Sequence, residues 1–233
     1  MSSLLWKEWH EQRWKLAFGC IILAAFALIG LRARIITDQM LLTWVCLMGV
    51  LLLPVLASTG LVPAERGEGT LESLLSLPVA PRRILFAKTL VGMLLCAGPL
   101  AAAGVISLML AGGREMSSGV MVGLYAASIA SALSLFLWMM ALTIGLPNEA
   151  RAGLLSLGVL VCWVLIAKGL ESGKVGPAAW LPCPFVFELG IYTNRPETHF
   201  GWLVVAVLVQ TTIGLALFWW AATRVTQPVE AVS

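Results

Sequence analysis

The sequence predicts an all-α membrane protein with six transmembrane helices, and three observations lead to this fold class. The chain has 233 residues, of which 60% are hydrophobic and only 12% are charged, whereas soluble domains carry about 25% charged residues. Its mean hydropathy is +0.94. Apolar runs of roughly 20 residues, enough for a helix to cross a bilayer, recur along the chain. A single membrane domain therefore accounts for residues 1–233.

The hydrophobic runs place the six spans at about 16–36, 40–62, 84–110, 119–146, 152–170 and 201–222. Pro54 and Pro99 lie inside the second and third spans and predict bends there. Lys88, near the start of the third span, is expected to extend back to the membrane boundary. The loop at 171–199 contains PAAWLPCPFVFELG, which is too apolar for a solvent loop and too short to span. We predict an interfacial or re-entrant segment there.

Residues 1–15 predict a separate amphipathic helix that rests on the membrane surface. Apolar residues share one side of the helical wheel and charged or polar residues share the other, namely Leu5, Trp6, Trp9 and Leu16 against Lys7, Glu8, His10 and Glu11. Tryptophan combined with lysine and arginine suits the membrane–water boundary. The alternative, the basic region of a signal peptide, is disfavoured because the segment is long and tryptophan-rich and no A-x-A site follows the first span.

A polar stretch at 63–83, PAERGEGTLESLLSLPVAPRR, separates the second and third spans and contains a short helix of its own. Thr70 can cap its start, and Glu72 lies in its first turn, where a carboxylate suits the helix dipole. Leu71 and Leu75 recur at helical spacing, and Pro78 ends the segment. Two interpretations stay open on these grounds: a docking surface for a partner, or an interfacial loop resting on lipid headgroups.

The segment ERGEGTLESLLSLPVAPRRILFAK, residues 65–88, resembles the cytoplasmic loop of ABC-2-type transporter permeases, in which an E-R-x-x-G-T-L-E-x-L-L-x-x-P run precedes a basic helix start. The resemblance implies a coupling helix that contacts a separate ATP-binding subunit. It also implies that residues 1–15 form an elbow helix and that the apolar part of 171–199 is external. The residues it assigns to the ATP-binding subunit contact are Glu65, Arg66, Gly67, Glu68, Gly69, Thr70, Leu71, Glu72 and Leu75.

Charge distribution favours an orientation with both termini in the cytoplasm. Six spans place the two termini on the same side of the membrane, and nine of the 15 lysines and arginines fall on that side. Cytoplasmic segments carry the excess of basic residues, so this side is assigned to the cytoplasm of a bacterial inner membrane. The coupling loop then lies where ATP is available.

Sequence motifs for chemistry within the chain are missing, so we predict no catalytic, metal or cofactor-binding residues. There is no P-loop GxxxxGK[ST] and no HExxH, and the five cysteines form no CxxC pattern, so no structural disulfide is expected. Basic residues are too few and scattered for nucleic-acid binding. Ionisable residues are nearly missing from the spans, which argues against an ion-coupled carrier. The resemblance therefore implies that ATP and magnesium belong to the partner subunit.

Two functions remain as hypotheses. The first is the membrane subunit of an ATP-driven exporter, in which two such subunits, a homodimer or heterodimer embedded in lipid, surround a pathway. Candidate pathway residues are the polar groups inside spans: Ser58, Thr59, Ser131, Gln210 and Thr211. Local hydrogen bonding is the competing interpretation of Ser58 and Thr59, and the low polarity of the spans favours a hydrophobic or amphipathic cargo. The second hypothesis is a membrane anchor or assembly factor that recruits a cytoplasmic ATPase without moving a substrate.

Overall fold

The computed structural model describes residues 2–33, 38–69, 81–110, 118–172 and 200–225. Within these ranges there is no strand. The described residues form seven helices: α1 Ser2–Ala33, α2 Asp38–Leu61, α3 Pro63–Gly67, α4 Pro81–Leu110, α5 Ser118–Thr143, α6 Glu149–Ser172 and α7 Phe200–Val225. All except α3 are long and apolar enough to cross a membrane. The predicted fold class, an all-α protein with six transmembrane helices, is confirmed.

The centre of the bundle is formed by α2 and α5. Helix α5 packs against α2, α4 and α7, whereas α1 packs mainly against α4 and α6 packs mainly against α2. Buried apolar side chains such as Leu42, Val50 and Phe136 fill the space between them. The outer helices α1, α6 and α7 expose large apolar side chains, including Phe18, Leu154 and Leu208. An apolar surface of this kind suits a lipid environment.

Two glycines let the central helices approach each other closely. A Cβ atom on Gly92 of α4 would collide with the ring of Phe136 in α5, and one on Gly49 of α2 would collide with Leu100 in α4. The small residue at each crossing lets a large side chain of the neighbouring helix pack directly on the glycine backbone, and close packing of this kind is a main source of helix association in membranes. These contacts fix how α2, α4 and α5 lie against one another.

Helix α1 is continuous where the sequence predicted two elements. It runs from Ser2 to Ala33 without interruption, so the structure does not confirm a separate elbow helix at 1–15. Trp6 and Trp9 of the predicted apolar side are exposed, whereas Glu8 and Gln12 are buried. The Glu8 carboxylate is paired with a lysine from another helix, so the predicted polar side is not uniformly solvated.

One end of the bundle gathers five parts of the chain. The start of α1, helix α3 and the start of α4 meet there through side-chain contacts, and α3 also touches the turn between α5 and α6. The end of α7 lies beside the start of α4. We call this the N-terminal end of the bundle. Residues 70–80, which hold most of the predicted coupling helix, and 173–199, which hold the predicted re-entrant segment, lie outside the described residues.

Candidate functional site

Helix α3 is short and sharply bounded, for reasons visible in its sequence. Pro63 occupies the first turn, where its missing amide hydrogen costs nothing, and Glu65 in that turn complements the helix dipole. The amides of Arg66 and Glu68 donate to carbonyl oxygens four residues earlier, at 3.0 Å each. Gly69 follows with φ of 73°, a left-handed conformation that glycine adopts without strain. The chain therefore leaves the helix at Gly69.

Residues 65–69 are the described part of the predicted partner contact, and they differ in exposure to solvent. Gly67, Glu68 and Gly69 are exposed, and Arg66 is half-buried. Glu65, in contrast, is only 9% exposed, because it faces the protein interior. The other residues assigned to this contact, Thr70, Leu71, Glu72 and Leu75, lie outside the described residues.

The turn between α5 and α6 lies directly beside the tip of α3. A Cβ atom on Gly67 would lie 3.4 Å from the Cβ of Asn148. Asn148 caps α6, since its Oδ1 accepts a hydrogen bond from the amide of Arg151 at 3.0 Å. Glu149 and Arg151 are exposed next to it. We call the exposed residues Gly67, Glu68, Gly69, Glu149 and Arg151 the α3 surface.

Behind this surface lies a buried ion-pair cluster that joins three helices, and we call Glu8, Glu65 and Lys88 the Lys88 cluster. Lys88 Nζ of α4 donates to Glu8 Oε1 of α1 at 2.8 Å and to Glu65 Oε1 of α3 at 2.6 Å. Lys88 is 0% exposed and Glu8 is 2% exposed. Charge-assisted hydrogen bonds of this length are stronger than neutral ones, and removal of water strengthens them further.

The cluster continues to the protein surface through a second lysine. Lys7 Nζ lies 3.9 Å from Glu65 Oε1 and 3.6 Å from Glu11 Oε1, and both Lys7 and Glu11 are partly exposed. Glu8, Glu11 and Glu65 each have a carboxylate oxygen within 4.8 Å of the others, a spacing that could hold a metal ion. Lys7 and Lys88 contact these same carboxylates, so ammonium groups already supply the neutralising charge.

The expectation that Lys88 extends back to the membrane boundary stays a prediction. In the structure its ammonium group is buried and is neutralised by the carboxylates of Glu8 and Glu65. The spans therefore hold a buried charged group that hydropathy did not reveal. Buried charges in membranes are expected to be paired, as these are.

A sequence signal for the cluster existed in the helical periodicity of α1. The face of α1 that packs on the other helices includes Leu16 against Gly98, Gly19 against Pro99, and the buried Leu23. Extending that face toward the N-terminus in steps of three and four residues reaches Gln12 and Glu8, both buried. A buried carboxylate on this face requires a cation opposite, and α4 offers Lys88.

Three of the five candidate pathway residues donate hydrogen bonds within their own helix. Ser58 and Thr59 donate to the carbonyl of Val55 at 3.1 Å and 3.0 Å, which agrees with local hydrogen bonding near Pro54. Thr211 donates in the same way to the carbonyl of Val207 at 2.7 Å. Ser131 and Gln210 are buried inside the single chain. A pathway role for these residues stays a prediction.

Comparison with known proteins identifies the family. No individually curated protein gives a significant match. The model of a family described as "ABC-2 family transporter protein" matches residues 5–168, which include most of α1, the Lys88 cluster, the α3 surface and most of α6. Because this match covers well over half of the chain, and six helices can cross a membrane, the protein is an integral membrane protein that belongs to the ABC-2 family of transporter proteins.

Proposed function

We propose that the chain is the permease subunit of an ATP-driven exporter and docks on a separate ATP-binding subunit through the α3 surface. The observation that carries this proposal is the exposed tip of α3, with Gly67, Glu68 and Gly69 at the surface, in a segment that the family match includes. Family membership supports association with an ATP-binding subunit. ATP and magnesium belong to that partner, and residues 70–80 complete the docking segment.

Two copies of the chain, or this chain and a related one, surround the pathway in a bacterial inner membrane. Both termini face the cytoplasm, in keeping with the bias of basic residues toward that side. Closure of the partner on ATP pushes α3, and the spans shift as rigid bodies to open the pathway outward. The apolar character of the spans favours a hydrophobic or amphipathic cargo.

The test is charge reversal at Glu68 and Glu72. Glu65 is unsuitable because a lysine there would face Lys88 in the interior. The tagged chain is purified in detergent with a candidate ATP-binding subunit, such as one encoded by a neighbouring reading frame. We expect Glu68→Lys with Glu72→Lys to weaken binding at least tenfold, about 1.4 kcal/mol, because reversed charges oppose the complementary surface.

The matched control is Arg32→Glu, a charge reversal on an exposed residue at the opposite end of α1. It is expected to leave partner binding and ATP turnover unchanged. Equal binding by the wild type and the Glu68/Glu72 variant would refute the docking assignment. Docking and ATP turnover without ATP-dependent movement of any amphipathic cargo in vesicles would instead favour a membrane anchor or assembly factor.

A further inference from the structure

Helix α3 is held to the bundle in two different ways. Its backbone packs closely against α2, from which it follows directly, and against the start of α6. Its connection to α1 and α4 runs through charged side chains, with Glu65 bonded to Lys88 and lying near Lys7. A force on α3 therefore reaches α4 through Lys88 and reaches α1 mainly through Lys88 and Glu8, with the longer contact between Glu65 and the partly exposed Lys7 as a second connection to α1.

The geometry of the cluster suits a rigid connection. One ammonium group donates to two carboxylates from two other helices, so the three elements converge on a single nitrogen atom. Lys88 and Glu8 are almost completely shielded from water. In a shielded site, water does not readily replace these bonds, and separating any one element would leave a buried charge without its partner.

We propose that Lys88 is a positioning residue that makes α1, α3 and α4 move together when the ATP-binding partner pushes on the α3 surface. This proposal rests on the proposed function, because it assigns the route by which docking movement enters the spans. Glu65 carries the movement from α3 to Lys88, and Glu8 carries it from Lys88 to α1. Glu11, at the exposed edge, contributes no such connection.

The experiment measures distances between spin labels on the full chain in lipid nanodiscs by electron paramagnetic resonance. The native cysteines, Cys20, Cys46, Cys96, Cys162 and Cys183, are replaced by alanine. One label pair, Ala64→Cys with Arg13→Cys, reports α3 against α1, and a second, Ala64→Cys with Leu90→Cys, reports α3 against α4. Ala64 is half-buried, Arg13 and Leu90 are exposed, and none of the three belongs to the Lys88 cluster or to the α3 surface.

Replacing each glutamate by glutamine tests the contact of Lys88 with Glu65 and its contact with Glu8 one at a time, while keeping the size of the side chain. Glu65→Gln is expected to at least double the width of both distance distributions, because it releases α3 from Lys88. Glu8→Gln is expected to widen the α3–α1 distribution and leave the α3–α4 distribution narrow. Glu11→Gln is the matched control on α1 and should leave both unchanged. The proposal would be overturned if the three variants changed the widths of the two distance distributions equally, or if none of them changed either width.

A second measurement adds the ATP-binding partner and traps it with ATP and vanadate. In the wild type the α3–α1 and α3–α4 distances should stay constant on trapping, whereas in Glu65→Gln both should shift. A shift in the wild type as large as in the variant would overturn the rigid connection. Failure of the wild type to bind the partner would refute the proposed function alone, since the nucleotide-free distributions test the cluster independently. Lys88→Arg, which keeps the charge, should keep both distance distributions as narrow as in the wild type, with and without the partner.

Discussion

Buried side chains in both halves of helix α4 form polar contacts with other helices, and these contacts differ in charge and in the number of helices they join. Near the N-terminal end, Lys88 bonds to carboxylates from α1 and α3. About 28 Å further along the helix, Ser107 shares a hydrogen bond of 2.8 Å with Tyr125 of α5. Both contacts are buried, but only the first leaves a full charge behind when one partner is removed.

This difference teaches where the bundle tolerates change. A neutral hydrogen-bonded pair can be replaced by two apolar groups of similar shape at little cost. A buried charge has no such freedom, because its counterions must be removed with it. We therefore expect the N-terminal end of the bundle to be sensitive to single substitutions, and the half of α4 that contains Ser107 to respond mainly to changes of side-chain volume.

The largest effect is expected for Lys88→Met. It leaves Glu8 and Glu65 buried without their common counterion, and loss of one partner from a buried ion pair destabilises by about 3–5 kcal/mol. The measurement is thermal unfolding in detergent, followed by fluorescence-detected size exclusion. Combining Lys88→Met with Glu8→Leu and Glu65→Leu should recover most of the stability. A single variant as stable as the wild type would show that the charges are not shielded as described.

A smaller effect is expected for Gly92→Ala, which tests packing in place of charge. The added methyl group would meet the ring of Phe136 and lie 2.7 Å from Leu61. Overpacking of this kind costs about 1–3 kcal/mol. The control is Gly158→Ala in α6, whose methyl group would enter open space and should be neutral or slightly stabilising. Equal unfolding temperatures for the two variants would contradict the close approach of α4 and α5.

Tyr125→Phe is expected to cost about 1 kcal/mol, because it leaves the buried Ser107 hydroxyl without its side-chain partner. The double variant with Ser107→Ala removes both polar groups and should be close to the wild type in stability. Unfolding of the two single variants and the double variant forms a cycle that isolates the pair. If the single and double variants lose equal stability, the comparison with the Lys88 cluster fails.

The smallest effect is expected for Asn148→Ala at the start of α6. The variant loses the hydrogen bond that Asn148 Oδ1 accepts from the amide of Arg151. An exposed cap of this kind contributes about 0.5–1 kcal/mol. Asn148→Asp keeps an acceptor oxygen and should behave as the wild type in thermal unfolding. A loss as large as that of Lys88→Met would mean that this turn has a structural role beyond capping.

The six spans could be predicted because each depends on a local property, a long apolar run. The cluster could not be predicted in the same way, because burial of Lys88 depends on two carboxylates that are distant in sequence. The same cause explains the error at α1. Charges in residues 7–15 indicated a surface helix, yet Glu8 is neutralised by α4 and the helix continues without a break. The only local sign that Glu8 is buried was its position on the same helical face of α1 as Leu16, Gly19 and Leu23.

The partner contact around α3 could be predicted only in part, because the burial of its residues depends on contacts with other helices. Family resemblance located the segment that contains α3, but it treated Glu65 and Glu68 alike as contact residues. The structure separates them, since Glu65 is buried and Glu68 is exposed. The two residues are three positions apart, which would place them on the same side of a continuing helix. Glu68, however, follows Gly67, the last residue of α3, and lies where the chain leaves the helix, and the sequence alone does not show where this helix ends.

Glu8 lies within the first two turns of α1, so the opening residues of the chain supply a deep counterion. Deleting residues 2–8 would strip Lys88 of one of its two carboxylates. A preparation for reconstitution should therefore retain this segment, even though hydropathy alone gives no reason to keep it.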